Sequence, residues 1–323
     1  MSEFKVLAPA KVNLFLGVGD VREDGFHEVR TVLHALAMHD VLTFDCVPEG
    51  GFHSRYCVRD GYDLPVAKEG GISVGVEIQC HEGIELPEIP TEDNLVTKAI
   101  FALAAACQVE WRGYVRVTLD KHIPAQAGLG GGSSDAAAAL LGAAKIFGID
   151  QDDPRVGQVA QSLGADVAFF LRGGCAEYVG KGEQFVRALE PMKDNVVIMM
   201  PEGARVSTAK AYEFFDARPT PIAPAALRDL GYVSEAFEVP IFNNLVASAY
   251  MLCPGLEDVR KWARCEEGVD DVLLAGSGAA HFAICDDHAS ADQLLVHARK
   301  KGYYARKTNF SSLRAAIVPQ RTF

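Results

Sequence analysis

The run PAQAGLGGGSSDAAAALL, residues 124–141, constrains this chain more than any other stretch. Gly128, Gly130, Gly131 and Gly132 lack a Cβ, so the segment can turn sharply and bring backbone N–H groups against a bulky anion. Ser133, Ser134 and Asp135 read as helix-start residues, and the alanines and leucines of residues 136–141 are strong helix formers. A glycine loop feeding a helix N-terminus offers unpaired N–H groups and the positive end of the helix dipole, which together favour phosphate. No Lys-Ser or Lys-Thr follows the last glycine, so this is not the common P-loop. The spacing is also not that of a dinucleotide fingerprint.

The net charge of −12 argues against nucleic acid or an anionic membrane surface as the main partner, since both need a basic face. A phosphorylated small molecule remains compatible, because a few amides and lysines suffice to bind it. Eight scattered cysteines form no CxxC pair, so free thiols in a reducing cytoplasm are expected, with no clustered zinc ligands. The N-terminus lacks a basic region ahead of its apolar stretch and does not read as a signal peptide. No run of 18 apolar residues suggests a membrane span. The length fits two domains of ordinary size.

Along the chain, residues 4–18 read as strand, bend, strand, with Pro9 interrupting the pattern. Further strands are expected over 32–44, 72–80, 114–119, 196–200, 272–275, 281–285 and 315–318. Helices are expected over 95–107, 156–163, 208–215, 243–252 and 289–301. Val167 begins a short apolar run. Residues 48–71, rich in glycine and charge, read as a loop or an extra hairpin. Strands and helices mix without strict alternation, which favours an α+β two-layer fold over a doubly wound sheet.

Four more segments accompany the glycine loop: PAKVNLFL (residues 9–16), DGFHEV (24–29), LGADVAFFLRGG (163–174) and LAGSGAAHFAI (274–284). In this order they resemble the signature motifs of the GHMP kinase superfamily, over nearly the whole chain. PAKVNLFL with DGFH resembles the branch acting on 4-diphosphocytidyl-2-C-methyl-D-erythritol. The resemblance implies a two-domain GHMP kinase fold of α+β class, with the active site in the interdomain cleft. The division expected is residues 1–180 and 181–323. It also implies ATP as phosphoryl donor, Mg2+ beside it, and the 2-hydroxyl of the methylerythritol unit as acceptor. The alternatives are a homoserine or mevalonate type of GHMP kinase, or a ligand sensor on the same fold. Oligomeric state stays open between monomer and homodimer.

The resemblance also carries roles for single residues. Asp166, the aspartate of GADV, matches the catalytic base, and Lys11 the lysine beside it. An ammonium close by favours the ionised carboxylate, so Asp166 is expected to orient the hydroxyl and take its proton late in a loose transition state. Pro124, Ala125, Gln126, Ala127, Gly128, Leu129, Gly130, Gly131, Gly132, Ser133 and Ser134 are expected to bind ATP. Asn13, two residues from Lys11 on one strand face, is placed to bond the polyol. Phe26 and His27 are expected at the cytosine, Phe26 by stacking, with Tyr212 as the second aromatic. Gly276, Ser277 and Gly278 match a turn that approaches the phosphates. Asp135 brings a negative charge close to those phosphates, and must point away or act through a metal.

Overall fold

Two sheets, each carrying helices, build the computed structural model, which describes residues 3–49, 66–81 and 83–319. First in the chain come β1 (Phe4–Val21), β2 (His27–Pro48), β3 (Val66–Glu69), β4 (Ile72–Cys80), α1 (Leu95–Ala106), β5 (Gly113–Lys121), α2 (Gly131–Phe147), α3 (Pro154–Leu163), α4 (Ala165–Arg172), β6 (Cys175–Val179) and β7 (Gln184–Leu189). Then follow β8 (Asn195–Pro201), α5 (Thr208–Ala217), α6 (Pro224–Leu230), β9 (Phe242–Asn243), α7 (Val246–Leu252), α8 (Gly255–Ala263), β10 (Val269–Leu274), β11 (His281–Cys285), α9 (His288–Lys300), β12 (Tyr303–Asn309) and β13 (Ala316–Ile317). The first sheet runs β13-β1-β2-β5-β4-β3, with β6 and β7 continuing from β2 and β9 lying on β1. The second is antiparallel, β10-β11-β8-β12. Strands β9 and β13 return from late in the chain to pair with β1, so the two sheets do not follow a single cut in the sequence.

Apolar patterning explains the layering. Val6, Leu42 and Val117 of the first sheet pack beneath Ile100, Leu140 and Phe169 of α1, α2 and α4. Val12, Leu14 and Leu36 join Val196, Ile198 and Phe282 in a second cluster that spans both sheets. The alternate residues of β8 and β11, Val197, Met199 and Ala283, pack against Val259 of α8 and Leu294 of α9. A strand apolar on both faces must be covered on both, and β8 is. The mixed architecture is the α+β fold expected.

Pro9 does not break the first strand. Pairing passes from Pro9↔His39 to Lys11↔Ala35, so β2 spends four residues where β1 spends two. Proline is tolerated at such a bulge. The slip also changes which β2 residues face the helices, from Leu33 and Ala35 to Leu42, Phe44 and Cys46. Other expectations shift more modestly. The run at Val167 is helix α4, not an isolated apolar segment. Asn243 lies in β9 and not in the following helix, which begins at Val246. Helix α2 begins at Gly131, two residues before the serines, with Gly130 as its cap at φ +73°. The excursion at 48–71 includes β3, but residues 50–65 lie outside the described residues.

Two fully buried histidines make this fold acid-sensitive. His34 lies with Nδ1 2.9 Å from the Ala35 carbonyl, while its Nε2 accepts from Met192 N–H at 3.1 Å. A second proton would remove that acceptor. Burial lowers its pKa to about 4, against the hydrogen bond to Ala35. Burial likewise lowers His281 to about 3, where Tyr250 O–H reaches its Nε2 at 3.0 Å. An unfolded histidine titrates at about 6.5, so below that pH the unfolded chain binds a proton the native state refuses. The contribution of His34 is therefore complete above pH 6.5 and lost as pH falls through about 4. Between pH 7.5 and 5.5, His34→Gln is expected to lose about 1.4 kcal/mol less stability than the parent in urea titrations. An unchanged difference between the two pH values would remove His34 as the source.

Candidate active site

Four chain segments converge on a cavity of about 650 Å³. The bulge at Pro9 frees the backbone N–H of Lys11 from the strand ladder, and it donates instead to the Leu129 carbonyl at 3.0 Å. This bond ties β1 to the glycine loop. On the other side, Ala279 and Ala280 N–H donate to the Gln126 and Ala127 carbonyls, both at 3.1 Å. The loop is therefore held between the two sheets by backbone bonds at both flanks. Its geometry needs glycine: Gly128 sits at φ +78°, and a Cβ there would fall 1.8 Å from the Ala275 oxygen.

The loop then enters α2. Ser134 N–H bonds back to the Gly130 carbonyl, but Gly131, Gly132 and Ser133 have no carbonyl one turn before them. Three amides at a helix start, in a cavity wall, are the kind of donors that suit an anion.

Facing it, the ammonium of Lys11 lies 3.3 Å from Asp166 Oδ2 and donates to Asn13 Oδ1 at 2.8 Å. Asn13 Nδ2 in turn donates to Thr31 Oγ1, whose hydroxyl bonds to the Phe15 carbonyl. Lys11 is 5% exposed while the Asp166 side chain is 33% exposed, so the carboxylate is the member open to a ligand. Asp166 occupies the first turn of α4, where the helix dipole favours its negative charge.

Lys11, Asn13, Asp166, Tyr212, the loop from Pro124 to Ser133, and Gly276 with Ser277 line the cavity. Ser134, Gly278, Phe26 and His27 do not line it. Ser134 Oγ is buried without a hydrogen-bond partner. Phe26 is 57% exposed, with the Lys181 ammonium 4.6 Å above its ring, so a base could stack there only if that lysine gave way. The ring of His27 is engaged on both nitrogens, by the Gly19 carbonyl at 2.9 Å and Asp216 Oδ1 at 2.9 Å. Tyr212 packs 5.3 Å from that ring. Burial, with the charge of Asp166 adding, pushes the Tyr212 phenol up to about 12, so it is a hydrogen-bond donor at neutral pH.

The motif reading missed three supports. Lys121, beneath the loop, pairs with Asp40 Oδ2 at 2.5 Å and Asp135 Oδ2 at 2.6 Å, all three buried. Burial pulls the Lys121 pKa down, but the two carboxylates outweigh it and hold it at about 12. Asp40 Oδ1 also accepts from Ile123 N–H at 2.8 Å, which fixes the entry to the loop. Asp135 is thus committed to Lys121 through one oxygen, while its Oδ1 has no partner. The signal was present: Val115, Val117, Leu119 and Lys121 share one face of β5, and a lysine at the end of an apolar row needs a buried partner. The second missed support is Asn243, whose Nδ2 donates to the Leu274 and Gly276 carbonyls at 3.0 and 2.7 Å. The third is Thr208, whose hydroxyl lies 2.9 Å from Ser277 Oγ. Both hold the turn at 276–278 against the loop.

The two sheets, with an amide-walled cleft between them, form the fold of a GHMP kinase. The family model described as GHMP kinases N terminal domain matches residues 94–174, and that described as GHMP kinases C terminal matches residues 225–303. The 4-diphosphocytidyl-2-C-methyl-D-erythritol kinase of Pelotomaculum thermopropionicum is 34% identical over 91% of this chain and 93% of its own length. The enzyme of the same name from Rhodopirellula baltica is 35% identical, over 88% and 87%. A crystal structure of 4-(cytidine 5'-diphospho)-2C-methyl-D-erythritol kinase superposes with a TM-score of 0.69 at 32% identity, covering 95% of this chain and all of that one. The homoserine kinase of Cytophaga hutchinsonii, at 18% identity and a TM-score of 0.65, shares the fold. The chain belongs to the 4-diphosphocytidyl-2-C-methyl-D-erythritol kinase family.

Proposed function

We propose that this chain transfers the γ-phosphoryl group of ATP to the 2-hydroxyl of 4-diphosphocytidyl-2-C-methyl-D-erythritol, a step of isoprenoid precursor synthesis. The observation that carries the residue assignment is the Lys11–Asp166 pair at 3.3 Å, set across one cavity from the amides of Gly131 to Ser133. The amides and the helix dipole would hold the phosphates. Asp166 orients the substrate hydroxyl and accepts its proton as the new O–P bond forms. The bond from the γ-phosphorus to the bridging oxygen breaks, and ADP departs with that charge. Lys11 holds Asp166 in place by their ion pair and offsets negative charge on the transferring group. Asn13 is proposed to bond the polyol. Phe26, Tyr212 and the His27 segment are proposed for the cytidine.

Mg2+ takes oxygen donors and keeps several from phosphate and water. The donors present fit it: Ser133 lines the cavity, and Asp135 Oδ1 is buried at its wall without a partner. An ion held there would neutralise charge that develops on the phosphates. No helix among the described residues is long and apolar enough to cross a membrane, and the seven described cysteines are all free. A cytoplasmic setting is proposed with this activity.

The test is ADP release with three acceptors side by side. The cytidine diphosphate compound is expected to drive turnover, with homoserine and mevalonate at background. Turnover on either of those, or none on the cytidine compound, would overturn the substrate assignment.

A further inference from the structure

Strands β4 and β5 run parallel, with Gln79 opposite Asp120 and Cys80 opposite Lys121. Side chains alternate along each strand. Lys121 and Leu119 therefore turn toward the cleft, while Asp120 and His122 turn to the outer face. His81, just past the end of β4, joins them there. This small cluster lies apart from the cleft chemistry, and no residue in it has a part in phosphoryl transfer.

Both imidazoles aim the same nitrogen at one carboxylate. His81 Nε2 lies 2.9 Å from Asp120 Oδ1, and His122 Nε2 lies 3.5 Å from Asp120 Oδ2. The two rings stack with centroids 3.8 Å apart, and one ligand atom from each of the three residues falls within 4.8 Å of the others. A tetrahedral zinc with arms of about 2.0–2.1 Å holds its ligand atoms about 3.3 Å apart. The two nitrogen–oxygen distances, each to a different oxygen of Asp120, lie within about 0.5 Å of that value.

We propose that His81, Asp120 and His122 form a binding site for a divalent transition metal, zinc by donor type. Two imidazole nitrogens and one carboxylate supply three ligands, and the outward side is open to water as the fourth. A metal here would clip the end of β4 to the end of β5, directly before Pro124, where the phosphate loop begins.

Arg306 on β12 opposes the metal. Its Nη1 donates to the His122 carbonyl at 3.0 Å, and its Nη2 lies 3.4 Å from His122 Nδ1. Nitrogen Nδ1 must carry a proton when Nε2 binds a metal, and a neighbouring carbonyl or carboxylate serves that proton better than a guanidinium.

The experiment titrates the metal-stripped full chain with Co2+ alone, followed by its visible absorption, and then with Zn2+ in competition. One ion per chain is expected. His81→Ala and His122→Ala should each weaken binding about tenfold or more. Asp120→Asn should do the same while altering the side chain least, and keeps the test alive if either histidine variant misfolds. His288→Ala, which changes an exposed histidine elsewhere, should bind as the parent does, and Arg306→Gln should bind more tightly. Absence of saturable binding, or equal affinity in the parent and the His81 and His122 variants, would overturn the site.

Discussion

Asp166→Asn is expected to lower kcat by about 10²–10⁴-fold, the usual worth of a positioned proton acceptor. The amide keeps the size and hydrogen-bonding reach of the carboxylate but has no site of comparable basicity. It also removes the anion that the Lys11 ammonium faces at 3.3 Å. The glycine loop touches neither change: its bonds run from Lys11 N–H to Leu129 and from Ala279 and Ala280 to Gln126 and Ala127. The KM for ATP should therefore stay within about twofold, because ground-state phosphate binding is not altered. That split between kcat and KM separates a role in the chemical step from damage to the cleft. Asp166→Glu restores basicity at a displaced position and should recover only part of the rate. Parent-like turnover in Asp166→Asn would remove the base assignment and leave the Lys11–Asp166 pair as a structural salt bridge.

What was readable in the sequence is what sits close together in the chain. The glycine loop, the Lys11-x-Asn13 strand and the GADV segment are each local, and each carries its chemistry in adjacent residues. Their meeting in one cavity was readable only through the family resemblance, because no periodicity connects residue 11 to residue 166. Strands showed through alternation, yet Pro9 misled it. A proline inside an alternating run signals a bend, whereas here the partner strand absorbs it in a bulge whose extra residues lie almost thirty positions away.

The missed residues share one cause. Asp40, Lys121 and Asp135 satisfy one another across 81 and 14 positions of sequence, so each alone looks like a misplaced charge. Asn243 sits within an apolar stretch of helical composition, but its side chain bonds carbonyls 31 and 33 residues later. That tertiary demand, not local propensity, sets it in β9. Exposure is equally non-local. Phe26 follows a glycine turn, and its exposed ring meets the Lys181 side chain instead of the core.

Among the described glycines, Gly128→Ala should be the most damaging single methyl group added. The Cβ would stand 1.8 Å from the Ala275 carbonyl oxygen, 2.7 Å from its carbon and 3.3 Å from Gly278 N. All three are backbone atoms, so no rotamer change can relieve the contact. The residue also sits at φ +78°, where a side chain adds strain of about 1–3 kcal/mol. Separating the loop from the 275–280 turn breaks the Ala279 and Ala280 bonds, each worth about 1 kcal/mol. Together these place the loss at about 3–5 kcal/mol, read as a drop in thermal midpoint of about 4–7 °C for a chain of this size. Because the same two bonds hold the glycine loop against the second sheet, the KM for ATP should rise alongside. Gly157→Ala is the matched control: it lies in α3, has nothing within 4 Å of its Cβ, and should stabilise by about 0.5–1 kcal/mol. A Gly128→Ala protein with the parent's midpoint and ATP affinity would mean that the loop and the turn do not touch in solution. The two-sided clamp on the phosphate loop would then be wrong.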